Sequence, residues 1–562
     1  MLCGTVQNEF EPLCVGCYRN RRNQYMEIKN TKNQIRLPVV LFLGLAAGVF
    51  VGASFKNQGS VDVGSEVQKF RDVLAQIKDS YVDEVDTDAL VEDAIRDMLS
   101  KLDPHSAYIP ARDRERANED LRGNFDGIGI EFKIFNDTIV VVSPLSGGPS
   151  ESVGILSGDK IIRVDTMNVG GIGVTNEDVM RYLKGPKGTE VEVEILRGEK
   201  KLAFNIVRDK IPQYSVDAAY MVRDGIGYIK VSRFAATTYD EFTQAIKKLK
   251  EQGMEKLVFD LQGNPGGYLN IAIDMADEFL PASRRIVYTK GNNSRYDQSA
   301  NATSRGSFEN GDLIVLLNEG SASASEILAG ALQDNDRALI VGRRSFGKGL
   351  VQSPFDLSDG SEVRLTISRY FTPSGRSIQK PYDDEQEYAR DIISRYNHGE
   401  FFHADSIHLN DSLKYLTLKG RSVYGGGGIM PDYFVPLDTV LNSHYLNELY
   451  SSYAIFEYAF YYAEKHKEEL EKMGYENFRS NFHVTDAMLE ELVEVGERNR
   501  AKADRIELSQ KKSLVQVHLK AQIAKGVWGS EGFYPIFNET NEILQQAIQL
   551  FDKAPEMDRM DM

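Results

Sequence analysis

Cysteine is nearly absent from this chain. Cys3, Cys14 and Cys17 all precede the one long apolar run, so the body after that run has no disulfide, no thiol nucleophile and no thiolate metal site. Cys14-x2-Cys17 has no second pair and reads as noise. Histidine is scarce as well. None of the eight lies between His105 and His398, and none has HExxH or paired ligand spacing, so no metal or other cofactor is expected. A serine hydrolase built on this chain would need a base other than a nearby histidine. Positive charge is in deficit: 66 lysines and arginines face 83 acids, a net −17, which excludes nucleic acid as a natural partner.

Uncharged apolar stretches are equally rare, and only one is long. Residues 37–55 run 19 positions without a charge, enough for a helix of roughly 28 Å, the thickness of a bilayer's hydrocarbon core. Arg19, Arg21, Arg22, Lys29, Lys32 and Arg36 precede it, which places the N-terminus in the cytoplasm and the remaining body outside. A cleaved signal peptide is the alternative. The length of the run favours an anchor: a single-pass inner-membrane protein with its body in the periplasm. Met26 is a more ordinary start for a short cytoplasmic tail, an alternative in which residues 1–25 are not translated.

What is present divides the 562 residues into several units. Residues 1–56 are the tail and transmembrane helix, and 57–122 a helical N-terminal region. Phe70, Val73, Leu74 and Ile77 share one apolar face there, as do Leu90, Ile95, Met98 and Leu99, until the turn signal Asp103-Pro104. Residues 123–211 switch to short β-type runs at 129–132, 138–142, 160–164, 190–195 and 202–207, with one amphipathic helix near 176–183. Residues 212–437 alternate strands (226–231, 257–261, 313–317, 338–341) with helices (239–252, 268–280, 324–333), the pattern of a partly parallel α/β unit. Residues 438–562 are helical, charged and rich in tyrosine.

The chemistry concentrates in Asn318-Glu-Gly-Ser-Ala-Ser-Ala-Ser-Glu-Ile-Leu-Ala-Gly-Ala-Leu-Gln-Asp334 and Ser345-Phe-Gly-Lys-Gly-Leu-Val-Gln352. A buried strand followed by a tight turn would expose a serine at a helix N-terminus, where free amides and the dipole can hold an oxyanion. Ser323 suits that role, with Ser321 and Ser325 as alternatives. Ser323-Ala-Ser-Glu326 also matches a capping box, the plainer explanation. Lys348, between Gly347 and Gly349, could serve as base if burial lowers its pKa. The stretch from Gly342 to Gly349 resembles a phosphate-binding loop, but position 349 is glycine, not Ser or Thr, and 350–354 reads as extended. Gln352 is four residues past Lys348, about 13 Å if fully extended, so a contact between them needs a bend. Gly266 and Gly267, in the turn Asn264-Pro-Gly-Gly267, could add backbone N–H groups to an oxyanion hole.

Asn264-Pro-Gly-Gly267, Gly320-Ser-Ala-Ser-Ala-Ser-Glu-Ile327, Ala331-Leu-Gln-Asp334, Arg337-Ala338 and the Lys348 loop, in that order, resemble the C-terminal processing (tail-specific) proteases of peptidase family S41 over about residues 66–437. The resemblance implies Ser323 as nucleophile, Lys348 as general base and Gln352 as its orienting partner. It also implies that Ala324 and a glycine N–H of the Asn-Pro-Gly-Gly turn line the oxyanion hole. Leu102-Asp-Pro-His-Ser106 recurs in the family as well, and His105 reads as a turn residue. Gln262-Gly263 departs from the family, which often has arginine and a polar residue there, so a salt bridge is expected to be missing. Gly127, Ile128, Gly129 and Ile130, within Phe125-Asp-Gly-Ile-Gly-Ile130, look like the carboxylate-binding loop of a PDZ domain, which captures a chain's C-terminus as an added strand.

The expectation is an α/β multidomain protein: transmembrane helix, helical N-terminal region, β-rich PDZ domain, α/β Ser–Lys protease core and helical C-terminal region. Its activity would be that of a membrane-anchored serine endopeptidase for proteins with exposed C-terminal tails. The resemblance also implies a homo-oligomer, and 438–562 could dock an adaptor protein. The rivals are a non-catalytic PDZ scaffold at the membrane and a hydrolase of non-peptide esters.

Overall fold

A computed structural model describes residues 63–145, 147–438 and 443–552. The apolar run at 37–55, and with it the expected transmembrane helix, lies outside the described residues. Among the described residues no helix is long and apolar enough to cross a membrane. The chain divides into two compact units, Met1–Ala89 and Leu90–Met562. In the first, α1 (Gly64–Ser80) opens with Glu66 and ends with Lys78, charges that suit the helix dipole, and buries none of its residues. The next helix, α2 (Thr87–Ser100), buries Leu99. A short strand β1 (Ala107–Ile109) and α3 (Arg114–Arg122) follow.

Alternating apolar residues then build the PDZ sheet. Its strands are β3 (Ile130–Phe135), β4 (Thr138–Pro144), β5 (Lys160–Val164) with the two-residue β6 (Met167–Asn168), β7 (Glu190–Arg197) and β8 (Lys200–Val207), in the order β3-β4-β5-β7-β8. The entering strand β2 (Asn124–Gly127) pairs with the leaving strand β9 (Asp209–Pro212). The helix α4 (Asn176–Leu183) starts on a complete Thr175/Asp178 capping box and presses Val179 and Leu183 into the core. Strand β3 sits at the sheet's edge, with β4 as its one neighbour in the sheet.

The α/β unit that follows has two sheets. One runs β10 (Val216–Arg223), β11 (Ile226–Val231), β12 (Lys256–Asp260), β13 (Asp312–Leu317), β14 (Leu339–Gly342) and β15 (Tyr433–Phe434); every pair from β11 onward is parallel. Its strands are near-continuous apolar runs because both faces are covered. Leu257, Phe259, Val315 and Leu317 face one core, while Val258, Ile314 and Leu316 face the other. The first face packs against α5 (Thr238–Glu251), α6 (Leu269–Asp277) and α7 (Ala324–Asp334). The second is covered by the chain's last described helix, α8 (Glu542–Asp552), through Ile543, Leu544, Ala547, Leu550 and Phe551. In the other sheet the long strand β17 (Glu362–Phe371) pairs antiparallel with β16 (Leu350–Asp356), with Arg285–Gly291 and with β1. Thus β1 belongs to this second sheet, and the helix that ends the C-terminal region covers the first. The remaining C-terminal helices form a core of their own around Leu449, Ile455, Phe478 and Leu519.

Candidate active site

Strand β13 ends in the turn 318–322, and α7 starts at Ala324 with Ser323 as its N-cap. The three candidate serines separate by their bonding. Ser321 and Ser325 are fully buried and donate their hydroxyls to Leu261 O (2.8 Å) and Asn264 O (2.9 Å). They stitch the nucleophile turn to the Asn-Pro-Gly-Gly turn. Ser323 instead lines the groove, and no side-chain hydrogen bond caps the helix from it. Its backbone sits at φ 55°, ψ −111°. A non-glycine residue holds such a conformation only where its surroundings impose it, commonly at functional sites.

Glu326 imposes it. This carboxylate is fully buried and accepts four hydrogen bonds. Oε2 accepts from Ser323 N (2.8 Å) and Lys348 N (2.9 Å), and Oε1 from Ser345 Oγ (2.5 Å) and Gly347 N (2.7 Å). The capping-box residue is therefore a clamp that ties Ser323 to the Lys348 loop. Tyr370, also fully buried, reinforces it: its hydroxyl donates to Lys348 O (2.8 Å) with Ser323 O at 3.3 Å. Burial pushes the Glu326 carboxyl up to about 7, against the pull of its four donors.

Lys348 and Gln352 line the same groove of about 940 Å³ as Ser323. Burial pushes the Lys348 ammonium below the ordinary lysine value, Glu326 and Asp103 pull it back up, and Arg364 pushes it down again. Its amine donates to no group among the described residues. Gln352 does not bond to Lys348 here; its Nε2 donates to Thr366 Oγ1 at 3.2 Å. The expected extended segment after Gly349 is β16.

The oxyanion-hole expectation needs one correction. The Gly266 N–H is spent on the Asn264 side-chain oxygen at 2.8 Å. Asn264 in turn donates to Val231 O (3.0 Å), locking the turn. Gly267 and Ala324, whose N–H groups donate to no described residue, are the pair left. Glycine is still required at 266: φ is +102°, and a Cβ there would lie 2.8 Å from Ser323 Cβ and 2.9 Å from Ala324 N. At the Gln262 departure a cation comes from the neighbouring strand. Lys230 pairs with buried Asp260 at 3.2 Å and donates to Gln262 O.

In the PDZ unit, Gly127 closes β2, and Ile128 and Gly129 lie between strands with N–H groups that donate to no described residue. Ser150 secures the loop, donating its N–H (3.0 Å) and hydroxyl (2.7 Å) to Ile128 O. Ile130 starts β3, whose open edge runs alongside this loop. A cation the motif did not reveal stands next to it: Lys184, paired with Glu119 of α3 and 4.7 Å above the Phe125 ring.

This arrangement has relatives. The model for peptidase family S41 matches residues 225–386, the PDZ domain model residues 127–207, and the model described as the activating protease CtpB N-terminal domain residues 50–113. A family of unknown function matches residues 445–529. The carboxy-terminal-processing protease of Bartonella bacilliformis is 37% identical over 346 residues, 59% of this chain and 79% of that protein. The chain belongs to the carboxy-terminal processing protease family. The family's carboxy-terminal processing protease CtpA from Bacillus subtilis is 33% identical over 62% of this chain and 76% of its own length. The photosystem II D1 C-terminal processing protease aligns at 28% identity over 66% of this chain and 88% of that one, with a TM-score of 0.34. As a member of this family the protein is a serine-type peptidase with a PDZ domain.

Proposed function

We propose that this peptidase is a membrane-anchored endopeptidase working through a Ser323–Lys348 dyad, its body in the periplasm. The observation that carries the reading is the shared groove: a serine in a strained N-cap conformation and a lysine deprived of solvent, held to one buried carboxylate. A substrate enters by its C-terminus. The Ile128 and Gly129 amides take the carboxylate, and the tail adds as a strand along the open edge of β3. The chain then threads to the groove.

Lys348, neutral through burial, takes the Ser323 Oγ proton as Oγ attacks the scissile carbonyl carbon. The developing oxyanion accepts from the Gly267 and Ala324 N–H groups. Lys348 then gives its proton to the leaving amine, the C–N bond breaks, and the acyl group remains on Ser323. A water loses a proton to Lys348, attacks the ester carbon, and Oγ recovers the proton as the acid product leaves. Gln352 would steady the lysine through this cycle. Self-association through the helical regions, and an adaptor docking on 438–562, belong to the same proposal.

The test is digestion of an unstructured protein with an apolar C-terminus by the full chain, by Ser323→Ala and by Lys348→Ala, with a tail-amidated substrate alongside. Cleavage lost in both variants and slowed by amidation supports the reading. Cleavage by Ser323→Ala at the native rate moves the nucleophile elsewhere.

A further inference from the structure

The turn Leu102-Asp-Pro-His-Ser106, unused by the dyad itself, is bonded to the strand that pairs with Gln352. Asp103 is 8% exposed. Its carboxylate accepts from His105 N (2.8 Å), Ser106 N (2.9 Å) and Ser106 Oγ (2.7 Å), which close the turn on itself. A fourth bond leaves the turn: Thr366 Oγ1 donates to Asp103 Oδ1 at 3.0 Å. Thr366 lies on β17 directly opposite Gln352 on β16, and accepts from Gln352 Nε2 at 3.2 Å. The turn is anchored near the base. His105 Nε2 is 2.6 Å from Tyr388 Oη, and Tyr388 packs edge-on against Phe346, two residues before Lys348, with ring centroids 6.0 Å apart.

Donor counting fixes the polarity of this chain. An ionised carboxylate only accepts, and a threonine hydroxyl has one hydrogen. That hydrogen is committed to Asp103, so Thr366 can only accept from Gln352, and only the amide nitrogen can donate. The Gln352 carbonyl oxygen is thereby turned away from Thr366 and left as an acceptor.

We infer that Asp103 is a positioning residue: through Thr366 it sets which end of the Gln352 amide is offered to the Lys348 ammonium, presenting the oxygen and withholding the two N–H groups. The inference rests on the Ser–Lys reading above and assigns the turn a role in it. Burial pushes the Asp103 carboxyl up, but its hydrogen bonds outweigh burial and hold it below the ordinary value, in the ionised form the relay needs. Without that acceptor the Thr366 hydroxyl can donate to the glutamine oxygen, and the amide turns over.

The groups acting on Lys348 are Glu326 of α7, Asp103 of the turn and Arg364 of β17. Asp103→Ala removes the acceptor of the Thr366 hydroxyl and one of the two carboxylates that raise the lysine, so the acid limb of the rate profile should move to lower pH even as the maximum rate falls.

The experiment measures kcat, KM and the pH profile of the full chain on a tail peptide with a free carboxylate, for Asp103→Ala, Thr366→Val, Thr366→Ser, Gln352→Ala and the Asp103→Ala/Gln352→Ala pair. Asp103→Ala and Thr366→Val should each lower kcat about 10- to 100-fold with KM little changed. Thr366→Ser, which keeps the hydroxyl, should retain activity. The pair should be no worse than Gln352→Ala alone, because both act through one amide. Additive losses, or an Asp103→Ala enzyme that melts lower but keeps kcat and its acid limb, would overturn the inference. Thr366→Val is the safeguard should Asp103→Ala fail to fold: full kcat in it also overturns the relay. Activity retained by Ser323→Ala overturns the dyad and the relay with it, whereas activity lost there but kept in Asp103→Ala overturns the relay alone.

Discussion

Glu326→Gln is nearly isosteric, yet it strikes the group on which the site is hung. All four partners of the carboxylate are donors, and glutamine keeps one acceptor oxygen. If the new NH2 faces Ser323 and Lys348, two buried backbone N–H groups lose their acceptor. If it faces Ser345 and Gly347, the Ser345 hydroxyl can rotate to accept and one N–H is lost. The second orientation is cheaper, and one orphaned buried donor costs about 1–3 kcal/mol. Loosening the turn should lower kcat about 10- to 100-fold, since small misplacements of reacting groups are expensive.

Two pH signatures separate this from generic damage. Burial raises the Glu326 carboxyl from 4.5 to about 7 in the folded state. A raised acid contributes stability that is full below 4.5 and is lost as pH climbs to 7, an amount on the order of 3 kcal/mol. Glutamine has no such slope. Thermal melts from pH 4 to 8 should therefore show the wild type's advantage shrinking across that window and flat above it. Separately, Glu326 raises the Lys348 ammonium, so the variant's acid limb should shift to lower pH. A stability difference that does not vary with pH, together with kcat within about threefold of wild type, would refute the clamp.

Three other substitutions test the remaining geometry. Lys230→Met leaves Asp260 buried without its cation and should cost about 3–5 kcal/mol by denaturant titration; Lys230→Met/Gln262→Arg should recover much of it if the cation, not its address, is what matters. Ser325→Ala loses its bond to Asn264 O and should drop stability by about 1 kcal/mol while cleavage persists, because this serine is a stitch. Gly129→Ala places a Cβ 2.9 Å from Ile211 Cδ1 at φ +72°, and should raise KM for free-tail peptides while leaving a substrate with an amidated tail unaffected.

What could be read in the sequence was whatever the chain says locally. The helix 176–183, the strands 160–164 and 226–231 and the extended run after Gly349 follow from periodicity and turn residues a few positions apart, and the folded elements match them. The family motifs located Ser323, Lys348 and the Asn-Pro-Gly-Gly turn for the same reason, since each is a contiguous string. Illegible were the pairings made across the fold. Glu326 reads as a cap partner because Ser323 is three residues away, while its other partners lie 19 to 22 residues on. Asp103 reads as a turn residue, and its outward bond spans 263 positions. The departure at Gln262 suggests a missing ion pair, and no local pattern announces that the lysine of an adjacent parallel strand pairs with Asp260 beside it. The motif leaves Gly266 and Gly267 both open as oxyanion donors, and nothing in it says that Asn264, two residues earlier, holds the Gly266 N–H.

Each of these cases concerns a buried polar group, and that is no accident. Apolar patterning tells a strand which face to bury but not which acceptor a buried donor will meet. A serine hydrolase site is made of such choices. Ser321, Ser323 and Ser325 are one residue type in one short string, and they differ in backbone conformation and in what each hydroxyl meets: a carbonyl for the outer two, the groove for the one between. Ser323→Ala should therefore leave no cleavage although Ser325 stands two residues away, because Ser325 donates to Asn264 O rather than facing the groove; cleavage by Ser323→Ala that disappears in Ser323→Ala/Ser325→Ala would refute this.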